Sequence, residues 1–265
     1  MATTQPRTGY EVVKMNLEDI RTASAEEFAS QRQAAAKSNE TTPPGITPAI
    51  LAFVGEFSDE APVFVPVVDD QHGLYGWCSD GVAEKVKADG GIPLFGWTIW
   101  DWPGVMLTAE YHCVWRDANG EVLDITPKPK GESRILFVPE PHVPVDFDFD
   151  QRPTNRRIRN YEPRVDSRSA RGEAITLSGG KRAYEERRAA KAGLELHAWL
   201  QAKEPIDPVP DAIDELIAAC HAHEVHFDTL GASGPVAVDA ELITHMRRRL
   251  AAQTNLKALL VAGRR

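Results

Sequence analysis

Residues 76–93, GWCSDGVAEKVKADGGIP, decide the fold of this chain. Cys78, Val82 and Val86 recur every fourth residue, which is the spacing of one face of an α-helix. A Gly-Gly pair then ends the run, as glycines commonly end helices. The pattern predicts a helix that begins at or beside Cys78, so the thiol lies at the positive end of the helix dipole.

Three segments typical of β-strands follow this helix. They cover about 92–100, 105–115 and 121–126, and the turn sequences DWPG and DANG separate them. An Asn-Gly pair between two such segments is a strong signal for a β-hairpin. The order predicts an α+β fold in which an antiparallel sheet packs on the helix that carries Cys78.

These elements carry a candidate catalytic set. A cysteine attacks a carbonyl group as the thiolate, which a helix N-terminus and a nearby imidazole both favour. In the second strand, alternation places His112 on the face opposite Tyr111 and Trp115. Asp124 follows one hairpin later, on a neighbouring strand, where cross-strand partners stand about 5 Å apart. Cys78, His112 and Asp124 thus suit a nucleophile, a general base and an orienting acid.

The order of these features resembles the transglutaminase-like superfamily of cysteine acyl-transfer enzymes. After the helix with Cys78, the similar motifs are GIP at 91–93, YHCVW at 111–115 and DITP at 124–127. The resemblance covers residues 71–127 and does not extend to the flanking segments.

The resemblance implies a papain-like core, with Cys78 as nucleophile, His112 as general base and Asp124 as orienting acid. The activity expected of such a site is cysteine-dependent acyl transfer or hydrolysis. The substrate would be an amide or ester of a peptide, a protein or a small molecule, as in a peptidase, an amidase or a transglutaminase-like enzyme. A non-catalytic binding or assembly protein on the same fold is the alternative.

The oxyanion and substrate contacts are predicted from residues near the nucleophile. Gln71 and His72 precede Cys78 by seven and six residues, and either side chain is a candidate donor beside the Cys78 backbone N–H. Trp77 flanks the nucleophile directly, so we expect it to contact substrate.

The length of the chain predicts more than one structural unit. With 265 residues and 42% hydrophobic residues, the chain exceeds one small domain of roughly 100 to 150 residues. We predict an N-terminal helical extension at 1–44, a transglutaminase-like core at 45–145, a basic linker or arm at 146–180 and a helical region at 181–265.

Charge and cysteine content indicate the environment. The net charge of −9 disfavours nucleic acids and anionic membranes as partners. The first residues lack the apolar core of a signal peptide, and no stretch approaches the ~20 apolar residues of a membrane span. Three cysteines cannot form a disulfide framework, so we expect reduced thiols and a cytoplasmic protein.

Two further patterns bear on binding. Residues 151–191 hold twelve Arg or Lys against five acids, which favours a solvated linker, or docking on Asp146, Asp148 and Asp150, over a surface for nucleic acid or an acidic protein partner. Residues 220–226, CHAHEVH, gather one cysteine and three histidines that are potential zinc ligands, but no second ligand pair follows at a standard spacing. We therefore predict no metal and no cofactor.

Overall fold

The computed structural model describes residues 15–35, 39–162, 176–204, 207–230 and 238–262. Within these residues the fold is mixed α and β, which confirms the predicted fold class at this level. The seven described α-helices are α1 (Leu17–Ala34), α2 (Pro48–Val54), α3 (Cys78–Asp89), α4 (Gly179–Lys191), α5 (Leu196–Gln201), α6 (Val209–Leu230) and α7 (Ala240–Ala262). The six strands of the antiparallel sheet are β1 (Val63–Pro66), β2 (Ile92–Trp102), β3 (Met106–Arg116), β4 (Val122–Leu123), β5 (Arg134–Pro139) and β6 (Arg156–Arg159).

The sheet closes on itself at the end of β4. Its strand order is β1-β5-β2-β3-β4, and β6 pairs with the opposite end of β3 from β4. Where the two edges meet, the Val68 N–H donates to the Asp124 carbonyl and the Asp124 N–H donates to the Pro66 carbonyl, each at 2.9 Å. The backbone of Asp124 therefore joins the two edges of the sheet.

Apolar layers cover both faces of this sheet. One face packs through Trp97 against Phe53 of α2 and Val82 of α3. The other face, which lies inside the closed sheet, carries a separate buried cluster that includes Val114. Because alternate residues of a strand point to opposite faces, His112 lies on the same face as Val114.

The two long C-terminal helices pack on the end of the central hairpin. Trp102 and Met106, at the turn between β2 and β3, share one buried cluster with Ile213 of α6 and Leu256 of α7. The helical region and the sheet thus have a common apolar interface. None of the described helices is long and apolar enough to cross a membrane.

The first part of the predicted helical region at 181–265 forms two helices, α4 and α5, rather than one. Gly193 has a φ of +71°, in the left-handed region that L side chains rarely adopt, and it follows the end of α4. The chain then resumes as the short helix α5.

Part of the segment predicted as a basic linker belongs to the folded core. β6 pairs with β3, and its arginines bind acids of α6. Arg157 donates two hydrogen bonds to Glu224, at 2.8 and 2.5 Å, and Arg159 lies 2.9 Å from Asp214. These acids are in the helical region, not in the acidic segment just before the arginines. The part of the predicted arm at 163–175 lies outside the described residues.

A substitution at Gly96 tests the packing of β2 between β3 and β5. A Cβ at this position would lie 2.2 Å from the Val138 carbonyl oxygen, whereas a Cβ at Gly45 would meet nothing within 4 Å. We expect Gly96→Ala to lower the free energy of unfolding by about 1–3 kcal/mol and Gly45→Ala to leave it nearly unchanged. Urea denaturation of both variants measures this, and equal stability of the two would contradict the described packing.

Candidate active site

Helix α3 begins at Cys78, as the sequence predicted. Trp77 is the N-cap residue, and no side chain caps the first turn. The first N–H groups of the helix are therefore available near the thiol, and their partial positive charge lies at this end of the helix.

The loop before α3 is fixed to the helix. A Cβ at Gly81 would lie 2.5 Å from the His72 carbonyl oxygen, so only glycine allows the loop to pack this closely on the first turn. Lys85 of α3 also lies 2.6 Å from the carboxylate of Asp70. These contacts set the position of Cys78 relative to the sheet.

His112 and Asp124 come together across the closed sheet. Nε2 of His112 lies 3.2 Å from Oδ2 of Asp124. This is an ion-pair distance, although the two atoms are not aligned as a hydrogen bond. Active-site hydrogen bonds are often loosely aligned until substrate binds. Because Nε2 faces the carboxylate, Nδ1 is the ring nitrogen that does not face Asp124.

The surroundings of His112 favour its charged form. Burial lowers the pKa of the imidazole, but the negative charges of Asp124 and Cys78 outweigh burial and raise the pKa from 6.5 to about 10. The Lys128 ammonium acts in the opposite direction with a smaller effect. His112 is thus an imidazolium near neutral pH when a negative charge is present at Cys78.

Asp124 is a fully buried carboxylate that is compensated on several sides. Its side chain has 0% of its surface exposed. The Thr126 N–H donates to Oδ1 at 2.9 Å, and Lys128 Nζ lies 2.6 Å from Oδ2. Burial alone would raise the pKa of this carboxyl group, but His112 and Lys128 together hold it well below its usual value. The carboxylate therefore stays ionised and keeps His112 protonated.

A cavity of about 670 Å³ opens beside Cys78 and His112. Glu27 of α1 and Phe227 of α6 line its other sides, so the N-terminal helix, the sheet and the C-terminal helices all contribute to it. A second cavity of about 480 Å³ lies nearby, and Trp77 lines both. This position is compatible with the predicted contact between Trp77 and a substrate.

Part of the cavity wall is acidic. Glu27, Glu110 and Glu132 line it together with Tyr75. Burial is the main cause that raises the pKa of Tyr75 to about 12, and the negative charges of these three carboxylates add to it. Among the described residues, none of the three carboxylates takes part in an ion pair.

The predicted oxyanion donors do not reach this cavity. Gln71 and His72 are absent from its wall. Their side chains lie beside one another, with Gln71 Nε2 at 3.4 Å from His72 Nε2. Of the three predicted oxyanion donors, only the backbone N–H of Cys78 belongs to a residue that lines the cavity.

Sequence reasoning missed three polar residues of the site. Thr98 and Thr126 line the cavity, and each has a buried hydroxyl oxygen without a hydrogen-bond partner. Lys128 is the third, and it binds the carboxylate of Asp124 that also faces His112. Strand alternation could have found Thr98, because the β2 residue opposite His112 is Gly96, two positions away. Lys128 follows the last strand-like segment, where sequence patterns predict no side-chain direction.

Comparison with known proteins found no relative of this chain. No family model, curated protein or solved structure matches this chain. The roles of the site residues are therefore inferred from the geometry of this chain and from the order of its motifs.

Replacing Asp124 by asparagine tests the charge state of His112. In the unmodified protein, the NMR signal of the His112 Cε1–H should remain that of an imidazolium through pH 8, because its pKa is about 10. In Asp124→Asn the pKa should fall by about 1–3 units, since the attracting charge is gone. The exposed Asp146→Asn is the control and should leave the titration unchanged.

The raised pKa of His112 also makes the stability of the fold depend on pH. Because the pKa of His112 is raised in the folded state, its protonation stabilises the fold fully below pH 6.5, and this contribution to the free energy of unfolding is lost as the pH rises toward about 10.

The NMR titration also has an outcome that would contradict the ion pair. That outcome is a His112 signal that titrates near pH 6.5 in both the unmodified protein and Asp124→Asn.

Proposed function

We propose that this protein is a cysteine-dependent hydrolase or acyltransferase that acts on an amide or ester. The observation that carries the proposal is the convergence of two features on one cavity. One is the thiol of Cys78 at an uncapped helix N-terminus, and the other is the imidazole of His112 held by the buried carboxylate of Asp124.

These residues support a mechanism with a covalent intermediate. The thiolate of Cys78 forms a bond to the substrate carbonyl carbon, and the carbonyl electron pair moves to oxygen. The N–H of Cys78 donates to that oxyanion. His112 then gives its proton to the leaving nitrogen or oxygen as the bond to it breaks, which leaves a thioester on Cys78.

The second half of the reaction releases the acyl group. His112, now neutral, takes a proton from water or an amine as that molecule attacks the thioester carbonyl. The Cys78 sulfur leaves as a thiolate, and the imidazolium is restored. Asp124 stabilises the charged imidazole at both stages, because its own carboxylate stays ionised behind it.

The architecture around the site supports a papain-like, transglutaminase-like core. A helix that begins with Cys78 packs on an antiparallel sheet, and that sheet carries His112 and ends its fourth strand beside Asp124. The three cysteines are free thiols, which suits a reducing compartment such as the cytoplasm.

The acidic part of the cavity wall suits a substrate group that carries positive charge. Glu110 and Glu132 take part in no ion pair among the described residues, and a cationic group would compensate them. The cavity is also lined by cations, of which Lys128, Arg152 and Arg157 are paired with acids of this chain. The buried hydroxyl oxygen of Thr98 has no hydrogen-bond partner among the described residues, so it is free to hydrogen-bond a substrate group that enters the same cavity. Trp100 also lines the cavity, and its Nε1–H donates to Glu110 Oε2 at 2.8 Å, which orients that carboxylate.

Alkylation by iodoacetamide tests the proposed nucleophile, with Cys220 as an internal control. Cys78 and Cys220 are each 8% exposed, so access alone predicts similar rates. Burial raises the pKa of Cys220, and no histidine–aspartate pair accompanies it. At pH 6.5 we expect Cys78 to react on the order of tenfold faster than Cys220, as measured by peptide mass spectrometry.

His112→Ala provides the second arm of this experiment. Without the imidazole, the rate at Cys78 should fall to that of Cys220. If the two thiols already react equally in the unmodified protein, the catalytic proposal fails and a non-catalytic binding role on this fold becomes the better explanation.

A matched pair of esters tests the charge preference. The p-nitrophenyl esters of 4-(trimethylammonio)butanoate and of 5,5-dimethylhexanoate have the same shape but differ by one positive charge. We expect kcat/KM to be about fivefold to tenfold higher for the cationic ester, and the preference to shrink in Glu110→Gln. Glu56→Gln, at the end of α2 and outside the cavity, should keep the preference. Equal rates for both esters in the unmodified protein would refute the charge preference.

A further inference from the structure

Helices α6 and α7 bring together three metal-binding side chains away from Cys78. His226 on α6, and Glu241 and His245 on α7, each direct one ligand atom to a common point, with all three atoms within 4.8 Å of one another. Glu241 and His245 are one helical turn apart, so their side chains share a face of α7. His226 reaches the same point from the neighbouring helix.

The spacing of these atoms suits a cation better than direct contact. Glu241 Oε2 lies 3.8 Å from His226 Nδ1, and Glu241 Oε1 lies 3.7 Å from His245 Nε2. Both separations exceed the length of a hydrogen bond. A tetrahedral Zn²⁺ bound at 2.0–2.2 Å holds neighbouring ligand atoms about 3.3 Å apart. Since all three ligand atoms lie within 4.8 Å of one another, side-chain movements of up to about 1.5 Å bring them to these separations.

Asp239 orients the histidine of this cluster. Both of its carboxylate oxygens lie 3.0 Å from His226 Nε2. A proton on Nε2 is held by that contact, so the lone pair of Nδ1 is directed at Glu241 and His245. A carboxylate behind a histidine is the common arrangement in zinc sites, where it fixes the ring and increases its basicity.

We propose that His226, Glu241 and His245 bind one Zn²⁺ ion between α6 and α7, with Asp239 as the residue that positions His226. Three protein ligands leave a fourth coordination position for water or for a ligand from another molecule. This metal site shares no residue with Cys78, His112 and Asp124, so its binding of Zn²⁺ does not require the proposed chemistry at Cys78. The sequence did not indicate it, because only His226 belongs to the histidine-rich segment that was weighed as a metal site.

The ion would also act on the wall of the catalytic cavity. His223 and Phe227 line that cavity from α6, and they flank His226 in sequence on the same helix. A metal that joins the last turns of α6 to the start of α7 would restrain this part of the wall.

Zinc titration of the untagged full-length protein tests the site. Competition with a chromogenic chelator at pH 7.5 should show one equivalent of tight Zn²⁺. Affinity should fall at least about 30-fold in His226→Ala and in His245→Ala, and His221→Ala, on the same helix outside the cluster, should bind like the unmodified protein. Asp239→Asn should weaken binding about 10-fold to 100-fold. Asparagine also caps helices well, so α7 should keep its N-terminus.

Two measurements distinguish Zn²⁺ binding at this cluster from Zn²⁺ binding elsewhere in the protein. Cys78→Ser should bind Zn²⁺ unchanged, which distinguishes the cluster from a thiol site and from the catalytic proposal. Zinc should raise the melting temperature of the unmodified protein and of His221→Ala but not that of His245→Ala. One equivalent of Zn²⁺ retained in the double variant His226→Ala/His245→Ala, or no saturable binding to the unmodified protein, would overturn the proposal.

Discussion

The rest of the structure depends on the burial of the Asp124 carboxylate. An ionised carboxylate without water is strongly unfavourable unless charges and hydrogen bonds surround it. Here the Thr126 N–H, the Lys128 ammonium and the His112 imidazolium provide that compensation. The backbone of the same residue closes the sheet through Pro66 and Val68. One position therefore determines both how the strands close and how the imidazole is held.

The position of Cys78 depends on a different constraint, which is the packing of the first turn of α3. Helix α3 must start where its first turn packs on the loop at His72, and Gly81 permits that approach. Cys78 then stands at the helix terminus, beside the cavity into which His112 also opens. The helix dipole and the buried ion pair thus act on the same small volume, although they come from separate elements of the fold.

Local patterns made the centre of this fold predictable. The four-residue spacing from Cys78 and the Asn-Gly turn lead directly to α3 and to the central hairpin, because such signals depend on neighbours in sequence. The role of β6 could not be predicted, since Arg157 buries its charge only by pairing with Glu224 of α6. Lys128 and the cluster at His226 were missed for a similar reason: their partners are set by how distant elements pack. Gln71 was assigned by its distance in sequence from Cys78, but it is not among the residues that line the cavity.

The central claim is that Cys78 forms a covalent acyl intermediate with the help of His112. Brief reaction with p-nitrophenyl acetate at pH 7, followed by an acid quench and intact and peptide mass spectrometry, tests it directly. The account predicts one acetyl group, held as a thioester on Cys78, that accumulates far more slowly in His112→Ala. Acetylation that is spread over lysines, or that is equal at Cys78 and Cys220, would contradict it.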